Sequence, residues 1–270
     1  NYLNAREVPP PPTGDNMTKV MQEYSDALRI QQLRYNEPMV VQYNHPNFQW
    51  ALAAEEMVPL PGTLFFEVYN GHPGVRNYGD SLHCSVERMW DIILTRRLAE
   101  WNLPVAYGMA SDDAHALGSK EGGSKALPGR GWIMVRASRL AWPSIHEALN
   151  RGDFYATTGV VLKDIRFENN RLTIDIKPKA GVSYQTRFIG TMKGYDPSSL
   201  SAATQAAVTR IYSDQIGKVL NEQSGTHAVY KLTGNEIYVR AKVISSASHS
   251  SPHAAGDVEV AWVQPVCPRR

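Results

Sequence analysis

Thr63-Leu-Phe-Phe-Glu-Val-Tyr69 and Pro104-Val-Ala-Tyr-Gly-Met-Ala110 are two apolar runs of strand length, and Ser85–Trp101 lies between them. In that middle stretch Val86, Met89, Trp90, Ile93, Leu94 and Leu98 fall at helical spacing and form one apolar stripe. Arg96 and Arg97 at its tail suit the negative end of a helix. Strand, helix, strand is the unit of an α/β layer or barrel. Working outward, Met39-Val-Val-Gln-Tyr43 is an earlier strand. Met17–Asn36 is a helix that Asp15 or Asn16 caps and Pro38 ends. Phe48–Met57 reads as another short helix and Trp132–Arg136 as a fourth strand. Ser144–Asn150 is a short helix stopped by Gly152. Pro9–Pro12 is an extended lead-in.

After about Gly159 the pattern changes. Leu162–Phe167, Arg171–Lys177, Tyr184–Gly190, Ala228–Leu232, Glu236–Ile244 and Val258–Val263 read as strands, with Asn169-Asn170 as a hairpin turn. Ser198–Val208 reads as a short helix or a long loop. Ser245–Gly256, rich in Ser and His, reads as a mobile loop. The expected organisation is an α/β domain over 1–160 and a β-rich, sandwich-like domain over 161–270.

Composition narrows the function classes. The chain has 270 residues, 43% of them hydrophobic, with a formal net charge of +2. It has no basic run of the kind that neutralises phosphates, which argues against nucleic acid as a partner. It has no apolar run of about 18 residues, which argues against a membrane span. Two cysteines far apart, Cys84 and Cys267, leave the compartment open between cytoplasmic and exported.

The chemistry-bearing residues follow apolar strands. They are Asn44-His45-Pro46-Asn47, then Phe66-Glu67-Val-Tyr-Asn70-Gly-His72, then Ser111-Asp112-Asp113-Ala-His115. Strand C-termini in α/β folds converge on one rim, so these ends bring carboxylates and imidazoles together. Asp113 and His115, two apart on an extended segment, point the same way. Mixed oxygen and nitrogen donors suit Zn, Mn or Fe, and such an ion activates water. Glu67 inside an apolar strand has to be paired, metal-bound or aimed into a polar cavity. Asn70, His72 and Arg76 in the following loop are candidate substrate contacts, with Arg130 and Arg136 as further candidate anion partners.

In order and context these segments resemble the PHP (polymerase and histidinol phosphatase) family of metal-dependent hydrolases, in its carbaryl-hydrolase-like branch. Asn44-His45-Pro46-Asn47 is similar to that family's His-Pro motif. Phe66-Glu67-Val-Tyr-Asn70-Gly is similar to the segment after the next strand, and Asp113-Ala-His115 to the late Asp-x-His motif. Ala148-Leu149 through Gly159-Val resembles the segment that closes the catalytic domain. The resemblance implies an α/β fold: the C-terminal part of a distorted (β/α)7 PHP barrel followed by a small β-sandwich-like domain. It implies two or three divalent ions on His45, Asp113, His115 and, with less support, Glu67. Asp113 and His115 would be catalytic, and the substrate a small phosphoester, carbamate or other ester. The family's opening His-x-His pair has no counterpart here, nor do the barrel's first strands before residue 38. An N-terminal segment outside this chain, a complementing chain or a second copy is therefore expected to complete the barrel. The competing expectation is a non-catalytic binding protein with a relic barrel, whose aromatics Tyr184, Tyr212, Tyr230 and Trp262 recognise a glycan or a protein.

Overall fold

The computed structural model describes residues 1–115, 126–203 and 208–268. Its first part runs β1 (Tyr2–Leu3), α1 (Met17–Tyr35), β2 (Val40–Tyr43), α2 (Ala54–Met57), β3 (Leu64–Asn70), α3 (Val86–Ala99) and β4 (Ala106–Ser111). β2, β3 and β4 are parallel neighbours and β1 adds antiparallel to β2, in the order β1-β2-β3-β4. Every residue of β3 is buried, as expected of a parallel strand covered on both faces. Leu64, Phe66 and Val68 pack with Trp90, Ile93 and Met57. Phe65 joins Tyr107, Met109, Leu149 and Phe154 in a second cluster.

Local chemistry sets the helix bounds. Asn16 Oδ1 accepts from Lys19 N at 3.0 Å to cap α1, and Ser85 Oγ accepts from Arg88 N at 3.1 Å to cap α3. Asn36, at φ 51, turns the chain out of α1. The helix expected over Phe48–Met57 is shorter. Gln49 and Trp50 both sit at positive φ, which breaks the run, and only Ala54–Met57 is helical. At the end of α3, Arg96 pairs with Glu100, but Arg97 does more than complement a helix dipole. It is fully buried and donates to the carbonyls of Val58 (2.9 Å), Leu60 (2.6 Å), Gly62 and Pro104 (3.0 Å). Burial brings its pKa down to about 10.

The remaining elements are β5 (Trp132–Val135), α4 (Trp142–Arg151), β6 (Phe154–Thr157), β7 (Leu162–Glu168), β8 (Arg171–Ile176), β9 (Tyr184–Met192), β10 (Ser199–Ala203), β11 (Val208–Tyr212), β12 (Lys218–Ser224), β13 (His227–Lys231), β14 (Glu236–Ser248) and β15 (Val258–Val266). They build a six-stranded sheet, β12-β9-β14-β15-β6-β5, a three-stranded sheet, β13-β8-β7, and the hairpin β10-β11. Leu172 and Ile174 of the smaller sheet and Phe188, Val239 and Val243 of the larger belong to one apolar cluster. β5 and β6 lie before residue 160 yet pair within the six-stranded sheet, which therefore draws on both sides of that position. α4 stops at Gly152, at φ 73. Asn169 and Asn170 turn the β7-β8 hairpin at φ 50 and 54, which short polar side chains tolerate.

The protein is thus a mixed α/β fold of several sheets. The parallel part is an open four-stranded sheet among the described residues. Two further expectations are corrected. Within Ser198–Val208 the chain forms β10 and the start of β11, with 204–207 outside the described residues. Ser245–Ser248 continue β14 instead of starting a loop.

Two buried polar joints tie the parts together. Gln264 of β15 lies beside β4. Its Oε1 accepts from Gly108 N at 3.0 Å and its Nε2 donates to Gly108 O at 2.7 Å, so one side chain satisfies both backbone groups. Arg240 of β14, 1% exposed, donates from Nε and Nη2 to both oxygens of Asp91 on α3, each at 2.7 Å. Tyr238 Oη donates to Asp91 Oδ1 at 2.7 Å.

Candidate functional site

The parallel strands deliver their C-terminal ends to one rim, and Glu67 stands at its centre, 1% exposed. Its Oε2 accepts from His45 N at 2.6 Å and from Asn70 Nδ2 at 2.7 Å, and its Oε1 accepts from Gln42 Nε2 at 3.1 Å. Burial raises the Glu67 pKa. The Asn70 and His45 hydrogen bonds oppose the rise, and the nearby Asp113 charge adds to it. Both carboxylate oxygens thus hold the ends of β2 and β3 together.

Asn70 carries the link onward. Its Nδ2 reaches Asp113 Oδ2 at 3.3 Å, and its Oδ1 accepts from His72 N at 2.7 Å. Asn77 fixes the Asn70 backbone in turn, accepting from Asn70 N at 3.1 Å and donating to Asn70 O at 2.7 Å. Gly71 follows, and its N–H donates to Ser111 O at 2.8 Å, joining the ends of β3 and β4. A Cβ on Gly71 would lie 2.5 Å from Arg130 Cβ, so the close approach requires glycine.

His45 and Asp113 both adopt left-handed backbone, at φ 29 and 47. For residues other than glycine this conformation costs on the order of 1–2 kcal/mol. Such outliers collect at functional sites, where the surroundings hold them in place.

The imidazole tautomers follow from their partners. His115 Nδ1 lies 2.7 Å from Asp113 O, which only accepts, so Nδ1 carries the proton and Nε2 keeps a free lone pair. Its Nδ1 is 3.9 Å from Asp113 Oδ1. His72 is the reverse. Gly74 N donates to its Nδ1 at 3.0 Å, leaving Nε2–H as a donor. The two rings meet edge to face with centroids 5.4 Å apart. His45 packs edge-on against Phe48 at 5.4 Å, and Phe48 stands between it and His72.

His45, Glu67, Asn70, His72, Asp113 and His115 are therefore gathered at one rim. Arg76 points elsewhere. Its guanidinium lies 4.9 Å over the Trp50 ring, which is itself stacked on His83. Arg136 reaches Asp164, whereas Arg130, 4% exposed, donates to Gly71 O at 2.8 Å and to Ser251 Oγ at 3.2 Å. His249 Nε2 lies 3.2 Å from Arg130 O. The Ser- and His-rich segment is thus packed onto the rim. Sequence reasoning missed this support and that of Gln42; the one available signal was a polar Gln42 inside an apolar strand.

The donor set was tested for its fit to a divalent ion. Among the described residues no three His, Cys, Asp or Glu side chains are spaced to hold one. The Asp113 carboxylate and His115 Nε2 supply donors of the right chemistry, whereas the His45 ring stands at the end of β2, across β3 from them. The His115 side chain is 69% exposed, and Phe48 and His72 lie between its ring and that of His45. Of the aromatics considered for ligand recognition, Tyr184, Tyr212 and Trp262 are 5%, 8% and 4% exposed and belong to apolar clusters. No helix among the described residues is long and apolar enough to cross a membrane. No family model, curated protein or solved structure matches the chain.

Proposed function

We propose that the rim is a hydrolytic site for a small phosphoester, or for a carbamate or other ester, working with divalent Zn, Mn or Fe as the PHP resemblance implies. The observation that carries this reading is the Asn70 carboxamide bridging Glu67 and Asp113 across the ends of β3 and β4, beside His45 and His115. Hydrogen-bonded carboxylates and two strained backbone positions at one rim exceed what packing alone needs. His45, Asp113 and His115 would hold the ion or ions, and Glu67 fixes the His45 turn through its backbone N–H. The ion would supply the Lewis acidity that makes water reactive near neutral pH. Asp113 O keeps the His115 proton on Nδ1 and so presents Nε2 as the donor. His72, with Nε2–H free, is placed to donate to a substrate oxygen.

The deciding experiment is elemental mass spectrometry on protein purified without chelator, beside Asp113→Ala, followed by hydrolysis assays on an aryl phosphate and an aryl carbamate. One or more ions per chain, lost in the variant together with hydrolysis, is the expected result. Wild-type protein that binds no ion even after incubation with Zn, Mn or Fe overturns the reading.

A further inference from the structure

Beside the rim, a cleft of about 500 Å³ lies between the parallel sheet and the six-stranded sheet; Asn77 and His249, which brace the rim, reach its wall, and none of His45, Glu67, Asp113 or His115 lines it. Its walls include Tyr69, Tyr78, Glu87, Lys242, Asp257 and Trp262. Small-molecule sites span roughly 300–1,000 Å³, so the size is that of a ligand pocket.

Its polar groups are unevenly spent. The Trp262 indole N–H is buried and makes no hydrogen bond among the described residues, and Trp262 is 4% exposed. It lies near the Glu87 carboxylate but outside hydrogen-bonding geometry. Tyr69, another residue of the lining, is 5% exposed and stacks on Trp262 at 5.5 Å. Lys242 Nζ gives one of its three N–H groups to Glu87 Oε2, at 2.6 Å. Buried polar groups are nearly always paired, so a buried orphan on the wall of a cavity needs an explanation. Acceptors are present as well. Glu87 and Asp257 each have lone pairs beyond those used by Lys242, Arg240, Tyr78 and Ala254.

We propose that this cleft binds a neutral, hydroxyl-rich ring of monosaccharide size. Hydroxyl groups both donate and accept, which matches the unspent donors on Trp262 and Lys242 and the Tyr69 hydroxyl beside spare lone pairs on Glu87 and Asp257. The charge balance disfavours anions: Lys242 is matched by Glu87, and Asp257 leaves the lining one negative charge in excess, which repels carboxylates and phosphates. For a cation the lining offers a single uncompensated carboxylate, Asp257, whose oxygens already accept from Tyr78 Oη and Ala254 N. Tyr78, 59% exposed, offers its ring to the apolar face of a sugar at the mouth.

Tyr69→Phe and Trp262→Phe test this: the first removes only a hydroxyl, and the second removes the indole N–H together with part of the ring. Saturation-transfer NMR and tryptophan fluorescence would be run with glucose, mannose, galactose and N-acetylglucosamine, and with glucuronate and choline as charged contrasts. The expected result is saturable binding of at least one neutral sugar, weakened about tenfold in each variant as one hydrogen bond is lost. A single cooperative melting transition, at the wild-type temperature in Tyr69→Phe and at a lower one in Trp262→Phe, shows that the fold is intact, and rim activity is expected to stay unchanged. Three results overturn the proposal: no neutral sugar binds, a charged probe binds instead, or both variants bind as tightly as wild type. The rim reading survives or fails separately, on its metal content.

Discussion

Asn70 shows how much one side chain settles at the rim. Its amide nitrogen meets Glu67 at 2.7 Å and Asp113 at 3.3 Å, and its oxygen takes the His72 N–H. Asn70→Ala leaves a buried carboxylate short of a donor, and a loss of about 1–3 kcal/mol in urea unfolding is expected. Hydrolysis, where present, falls with it. The positive φ at Asp113 gives a sharper prediction. Asp113→Gly and Asp113→Ala both remove the carboxylate, but only glycine relieves the backbone, so the glycine variant is expected to be about 1 kcal/mol more stable than the alanine one. Equal stabilities in chemical denaturation would refute a strain at this position. The grouping of His45, Glu67, Asn70, His72, Asp113 and His115 was legible because each lies in the C-terminal half of an apolar strand or in the loop just after one. The occupation of both Glu67 oxygens was not, because it depends on a Gln42 side chain and a His45 backbone N–H brought in by the parallel register. Arg76 illustrates the opposite limit. Nothing local shows that its charge rests on Trp50.

At the scale of elements, α3 is held at its end by Arg97, which closes four carbonyls from the loops after α2 and before β4. Arg97→Met keeps most of the stem and strands those carbonyls. A loss of about 3 kcal/mol or more is expected, read as a shift in the urea midpoint at unchanged slope. Periodicity made α3, β2, β3 and β4 readable, since each buries an apolar stripe or run, whereas α1 buries only Met21 and Leu28 of its apolar residues and was marked by its Asn16 cap and the following Pro38. β10 was unreadable for a physical reason. Ser199-Leu-Ser-Ala-Ala203 has little apolar pattern of its own and owes its strand to pairing with β11. The shortening of α2 came from positive φ at Gln49 and Trp50, which no propensity reveals.

Across the whole molecule, the α3 helix and the six-stranded sheet share a buried charge network, Glu87–Lys242 and Asp91–Arg240. Breaking such a pair from one side leaves an uncompensated buried charge. Asp91→Ala is therefore expected to cost about 3–5 kcal/mol and to lower a single melting transition seen by both near- and far-UV circular dichroism. Two separate transitions in the wild type would mean that this joint does not couple the parts. Glu87 adds a pH dependence. Burial opposes its ionisation, but Lys242 and Arg240 outweigh burial and hold its pKa at about 2, below the ordinary 4.5. A carboxyl depressed in the fold stabilises fully above its unfolded value and loses that contribution as pH falls through the folded one. Stability should thus decline from pH 4.5 towards about 2, and Glu87→Gln should flatten that decline. The Asp91–Arg240 pair also constrains how this protein changes over generations. Neither residue can be exchanged alone without stranding its partner's charge, so descent through this joint favours lineages in which both positions turn over together. A survey of divergent sequences should find the two sites keeping or abandoning their charges as a pair.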